Sequence, residues 1–125
     1  MKKNTSENNN DIQDFFIYLD KLNVAKKTSN LPILEPMDEL MLITLARADA
    51  SGTPFQVLQA MTCVPHISTT TAHRILKRLR HDGWITLLLD QADNRIKYTL
   101  PSKQTHEYLS LHTRSMSKTP IKRVA

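Results

Sequence analysis

Between Asp11 and Lys27 the apolar positions Ile12, Phe15, Phe16, Leu19 and Leu22 recur at the i, i+3, i+4, i+7 spacing that gathers side chains on one face of a helix. Acids come early in this stretch and lysines late, the order that a helix dipole favours. Residues 11–27 therefore read as an amphipathic helix with an aromatic stripe. The following "KTSNLPILEP" breaks the period with two prolines and a Ser-Asn pair, and reads as a linker.

A second helix is expected from Pro36, with proline at its first position and Asp38 and Glu39 in its first turn, ending at Ser51-Gly52. Its inner face would be Leu40, Met41, Thr44, Leu45 and Ala48. A short helix over 54–61 would follow, with Thr53 as N-cap, Pro54 at the first position and Gln56 completing a capping box. "VPHIS" makes a tight connection, Ser68 caps the next helix, and Gly83 ends that helix just after His81.

In this fourth helix Ala72, Ile75, Leu76 and Leu79 fall within one narrow arc, which must be buried. Opposite lie Thr70, Arg74, Lys77 and His81, flanked by His73 and Arg78. Next, "WITLLLD" and "RIKYTLP" enclose the turn-forming "QADN" and read as a β-hairpin. Ile96, Tyr98 and Leu100 alternate with Arg95, Lys97 and Thr99, so the first three should face the core and the second three the solvent. Pro101-Ser102 opens a final helix to about residue 116. The polar residues 1–10 and the basic 117–125, "SKTPIKRVA", read as disordered tails.

Composition narrows the function. A chain of 125 residues with 40% apolar content supports one core. The net charge of +5 is unevenly spread: residues 66–97 hold six basic against three acidic side chains, and 101–125 hold five against one. The excess thus lies around the fourth helix, the hairpin and the C-terminus, which suits a polyanionic partner.

Other chemistry is poorly served. The single Cys63 excludes an internal disulfide and a CxxC metal site, and its apolar neighbours Val64 and Pro65 suggest a buried, inert thiol. His66, His73, His81, His106 and His112 show no metal-ligand spacing, so no metal or other cofactor is expected. Two glycines cannot build a phosphate loop or a dinucleotide fingerprint, and no nucleophile or metalloprotease motif occurs, so an enzyme is not expected. Without a long apolar run or a leader pattern, neither membrane span nor signal peptide is expected, and the cytoplasm, in company with the nucleoid, is the expected location.

An α-helix fits the DNA major groove, where its N-terminal residues reach base edges, arginine pairs with guanine and threonine donates, accepts or touches a thymine methyl. A short helix before it, a tight turn and a basic hairpin after it complete a winged helix-turn-helix over 36–116, mainly α with a small β-hairpin (α+β). The candidate DNA contacts are Ser68, Thr69, Thr70, Thr71, His73, Arg74, Lys77 and Arg78 at the major groove, with Arg95 and Lys97 on the wing, residues 84–100, at the minor groove.

The segments "ISTTTAHRILKRLRHDGWI" and "DQADNRIKYTLP", the latter with Asp93 and Arg95 as an Asp-x-Arg pair, resemble the recognition helix and wing of multiple-antibiotic-resistance repressor (MarR) type regulators. The resemblance covers about residues 36–115. It implies that Thr69, Thr70, Thr71, His73, Arg74 and Lys77 lie at the major groove and Arg95 at the wing tip. It also implies dimerisation through N- and C-terminal helices, with Ile12, Phe15, Phe16, Leu19, Tyr108 and Leu111 as candidates; the aromatic stripe would serve equally to cap a monomer core. The final helix departs from the family by ending near "SMSKTP", without a long C-terminal helical pair.

The expected function is a sequence-specific regulator that binds double-stranded DNA and represses as a homodimer; no residue pattern points to a small-molecule effector. One alternative is a plasmid or phage protein of DNA maintenance or replication control. Another is a winged-helix protein-interaction module, which would carry apolar residues on the outward face of 69–81.

Overall fold

The computed structural model describes residues 2–116, with side chains from Asn10 onward. The chain forms two units, one of Met1–Leu31 and Glu107–Ala125, the other of Pro32–His106.

In the first unit, α1 spans Lys2–Thr28. Helix therefore occupies residues 2–10, where polar composition predicts a tail; no proline or glycine interrupts 2–28, so nothing stops the helix from propagating. The basic tail at 117–125 lies outside the described residues. Leu22, Tyr108 and Leu111 are buried. Tyr18 Oη and His112 Nδ1 share a hydrogen bond of 2.8 Å, the rings of Tyr108 and His112 lie 5.0 Å apart edge to face, and Lys26 Nζ stands 5.6 Å from the centre of the Tyr108 ring. The stripe itself stays at the surface: Ile12, Phe15 and Phe16 are about half exposed, and Leu19 is half-buried.

The second unit carries α2 (Pro36–Ala50), α3 (Val57–Ala60), α4 (Thr69–His81), β1 (Ile85–Leu89), β2 (Lys97–Pro101) and the start of α5 (Lys103–Met116), whose later residues belong to the first unit. This is a winged helix-turn-helix. On α2 the buried residues are Asp38, Met41, Leu42 and Leu45. Leu40, expected inside, is 46% exposed and Leu42 lies inside instead. The reason is Asp38: a carboxylate occupies an inward position that patterning assigns to water, so the inner arc is rotated from the one the apolar residues alone suggest.

Helix α4 follows its pattern. Ala72, Ile75, Leu76 and Leu79 are all buried, each large side chain contributing about 1.5–3 kcal/mol by leaving water. Ser68 Oγ accepts the Thr71 N–H at 3.1 Å at its start. Gly83, at φ +84, reverses the chain at its end, where a Cβ would also lie 3.1 Å from Gln104 Oε1. The start of α5 fastens this bend: Ser102 Oγ donates to the Gly83 carbonyl at 2.6 Å, Gln104 Nε2 to Asp82 at 3.0 Å and Thr105 Oγ1 to Trp84 at 2.5 Å. The Trp84 side chain is fully buried.

β1 and β2 pair antiparallel from Ile85 opposite Pro101 to Leu89 opposite Lys97. The expected helix start at Thr53 gives way to extended chain, because residues 55 and 56 pair with β2. Gln56 bridges Tyr98, and the Phe55 carbonyl accepts both the Thr99 N–H at 2.8 Å and the Thr99 hydroxyl at 2.9 Å. The capping residue is accordingly Gln56, whose N–H donates to Gln59 Oε1 at 2.8 Å. Thr99, expected in solvent, is fully buried, and Tyr98 and Leu100 are only half-buried. The simple in-out alternation of the hairpin fails there because the extended residues 55 and 56 are bridged to β2.

Candidate nucleic-acid interface

The fold presents the N-terminal turn of α4 with its hydroxyls sorted into two jobs. Ser68 caps the helix through its accepted N–H and donates no further than Thr71 Oγ1, 3.1 Å away. Those two hydroxyls hold the helix start together. Thr69 and Thr70 are exposed and make no side-chain hydrogen bond among the described residues, as base-edge readers require. Before the cap, His66 adopts φ +69, a conformation that costs a residue with a Cβ about 1–2 kcal/mol and that here lets the chain turn sharply into α4.

The exposed face of α4 continues with His73, Arg74, Lys77 and Arg80. Among the described residues, Arg74, Lys77 and Arg80 form no ion pair. Uncompensated cations along one helix face produce a field suited to phosphates. His73, Lys77 and Arg80 also rim a small cavity of about 110 Å³ floored by Val57, Leu76, Ile85 and Leu87. Patterning did not single out Arg80; its place seven residues after His73, on the same flank, was the available signal.

Arg78 differs from its neighbours. Its Nε donates to Asp38 Oδ2 and one terminal nitrogen to Asp38 Oδ1, both at 2.7 Å. That carboxylate hydrogen bond is the main reason the guanidinium is held even more firmly protonated than usual. A residue expected among the DNA contacts is thus joined to α2, and Asp38, read only as a helix-dipole acid, is its partner. Nothing in the sequence links two residues forty positions apart.

Two aspartates build the wing tip. Asp90 Oδ2 accepts the N–H groups of Ala92 and Asp93 at 2.9 and 3.0 Å, an Asx turn that the spacing of "DQAD" allows. Asp90 Oδ1 accepts the Tyr98 hydroxyl at 3.0 Å, which raises the phenol's pKa by favouring its protonated form. Asp93 accepts the Arg95 backbone N–H and, from one edge of the Arg95 guanidinium, the Nε and a terminal nitrogen, all at 3.0 Å. The guanidinium lowers the Asp93 pKa, and Arg95, with 89% of its side chain exposed, projects from the tip as half of an oriented ion pair. Lys97 is exposed on β2 without an ion-pair partner among the described residues.

The dimerisation candidates separate in the first unit: Ile12, Phe15 and Phe16 are open, whereas Tyr108 and Leu111 are already covered. Cys63 is half-buried, and desolvation raises its pKa, against the behaviour of a reactive thiolate. No group of His, Cys, Asp and Glu able to hold a metal occurs among the described residues, and no helix there is long and apolar enough to cross a membrane.

No protein-family model matches the sequence, and no curated protein matches it. Solved structures do resemble the fold. Transcriptional regulator Tm0710 from Thermotoga maritima aligns over 91% of this chain and 73% of its own, with 16% identity and a TM-score of 0.58. FabT of Streptococcus pneumoniae, solved in complex with DNA, aligns over 91% and 75% with 15% identity and a TM-score of 0.57. Reduced AbfR bound to DNA aligns over 92% and 77% with 17% identity and a TM-score of 0.50. The likeness is one of fold.

Proposed function

We propose that this protein is a sequence-specific double-stranded DNA-binding transcriptional regulator of the MarR type, acting as a homodimeric repressor. The observation that carries the reading is the outward face of α4: two threonine hydroxyls without a hydrogen-bond partner, followed by Arg74, Lys77 and Arg80 without acidic partners, among the described residues. That order suits base edges at the helix start and phosphates along its length. An oriented arginine at the wing tip, and fold neighbours solved on DNA, support it further. A protein-docking helix would instead expose apolar side chains, and none lies among Thr69, Thr70, His73, Arg74 and Lys77.

Dimerisation is supported by the open Ile12, Phe15 and Phe16 on α1, because two linked recognition helices match a two-fold operator and double a modest single interface. Tyr108 and Leu111 would stiffen the platform from inside. Repression would then follow from occupancy of a site needed by the transcription machinery.

Fluorescence anisotropy over a salt series tests the reading, with a duplex enriched from a random pool and with the pool itself. Arg74→Ala should cost about 1–3 kcal/mol on the enriched duplex and relax one base preference, while Lys97→Ala should weaken both duplexes alike and lower the salt slope by about 1. Equal loss on both duplexes for Arg74→Ala would remove it from the base readers.

A further inference from the structure

We propose that Asp38 and Arg78 are a positioning pair: Arg78 does not contact DNA, but its fork on Asp38 sets the roll of α4 so that Thr70, Arg74 and Lys77 meet the groove. This inference rests on the DNA-binding reading above. The apolar arc of α4 is made of Ala72, Ile75, Leu76 and Leu79, and such contacts are non-directional and tolerate small rotations of a helix about its axis. A guanidinium paired through two parallel N–H bonds does not, because both distance and plane are fixed.

The pair meets what that task requires. Among the described residues, both carboxylate oxygens of Asp38 are used by Arg78 alone, at 2.7 Å each. The Asp38 side chain is 5% exposed and belongs to α2, so it is a fixed anchor, while Arg78 is 42% exposed and lies four residues after Arg74 and one after Lys77 on α4. A turn of the helix that moved Arg78 would move both of these readers. Buried ion pairs add little net stability over apolar replacements, and their better-attested use is to specify one geometry among several. The Asp38 charge also offsets that of Arg78, leaving it a weak attractor of phosphate beside the unpaired Arg74 and Lys77.

The test uses the full chain, with Asp38→Asn, Arg78→Gln, their combination, and Arg78→Lys, which keeps the charge and loses the fork. Each is titrated by anisotropy against the duplex enriched by the wild type and against the unenriched pool, over a salt series, with thermal melts to show equal folding. Each single variant should bind the enriched duplex about tenfold more weakly, and the pool as before with an unchanged salt slope. The combination should be no worse than the worse single, and Arg78→Lys should behave like Arg78→Gln.

A salt slope lower by about 1 in Arg78→Gln, with Arg78→Lys and Asp38→Asn normal, would overturn the proposal by making Arg78 a phosphate contact. An unchanged ratio of enriched to pool affinity in folded variants would overturn it by leaving the pair a stabilising contact only. Where the singles fail to fold, Asp38→Leu with Arg78→Met refills the space without charge, and the same loss of discrimination is expected; a retained ratio overturns the proposal. A wild-type protein that enriches no duplex removes the DNA reading itself, and this inference with it.

Discussion

Replacing Thr99 by valine and by alanine tests how the Phe55 carbonyl is held against β2. The Thr99 hydroxyl is fully buried and donates to the Phe55 carbonyl at 2.9 Å, but that carbonyl also accepts the Thr99 N–H at 2.8 Å. Valine keeps the shape and the N–H bond and loses one hydroxyl bond, a net cost of about 0.5–1.5 kcal/mol. A buried methyl in place of the hydroxyl offsets up to about 0.8 kcal/mol of this, so a loss of less than about 1 kcal/mol is expected. Alanine loses the same bond and also about 0.8 kcal/mol of methyl burial plus a small cavity, for a total of about 2 kcal/mol. Urea unfolding followed by circular dichroism reads both, and each kcal/mol should lower Tm by about 4–8 °C in a unit of this size. A valine variant as unstable as the alanine one, or one weaker than wild type by more than about 3 kcal/mol, would refute the account, since the Phe55 carbonyl would then depend on the hydroxyl alone.

Leu76→Asp should unfold the second unit rather than only remove the proposed DNA binding, because it places an unpaired charge in the buried arc of α4; a folded variant by circular dichroism would mean that the face is wrongly assigned. Cys63 should react with iodoacetamide more slowly than a free peptide thiol at neutral pH, since desolvation raises its pKa, and a faster reaction would contradict that environment. The Asp93 carboxylate, whose pKa is lowered by Arg95, contributes to wing order above the unfolded aspartate range and loses that contribution as pH falls through its folded value. A carboxyl-carbon NMR titration should therefore give a midpoint below that of unfolded aspartate, moving up in Arg95→Ala; no movement would show that Arg95 is not the cause.

The features legible in the sequence are those governed by local rules. Helix α4 has an uninterrupted apolar period, a serine cap and a glycine stop, and its span and buried face follow from these alone. The hairpin was equally readable from two β-rich runs around a turn. Its inner and outer faces were not, because Thr99 is turned inward by Phe55, forty-four residues earlier. The same limit explains Leu40 and Arg78: each depends on Asp38, a charged residue whose inward position is settled by a partner on another helix. Thr53 and Pro54 carry strong helix-start signals, and strand pairing at 55–56 outweighs them. For the candidate interface, the exposed threonines and cations were identified by type and spacing, whereas the division between charges left open and charges occupied required three dimensions.

The contact between Phe55 and Thr99 has a consequence for the order in which the protein is made. It closes a loop of forty-four residues containing α3, the turn, α4 and β1, so its entropic cost falls due only after those local elements exist. During synthesis α4 can form once its own residues are clear of the ribosome, but residues 55 and 56 have no partner on β2 until residue 99 has followed them out. Until residue 99 emerges, residues 55 and 56 therefore lack the pairing that holds them extended against the helix-start signals of Thr53 and Pro54, and the hairpin strand made last is the part that completes the helix-turn-helix.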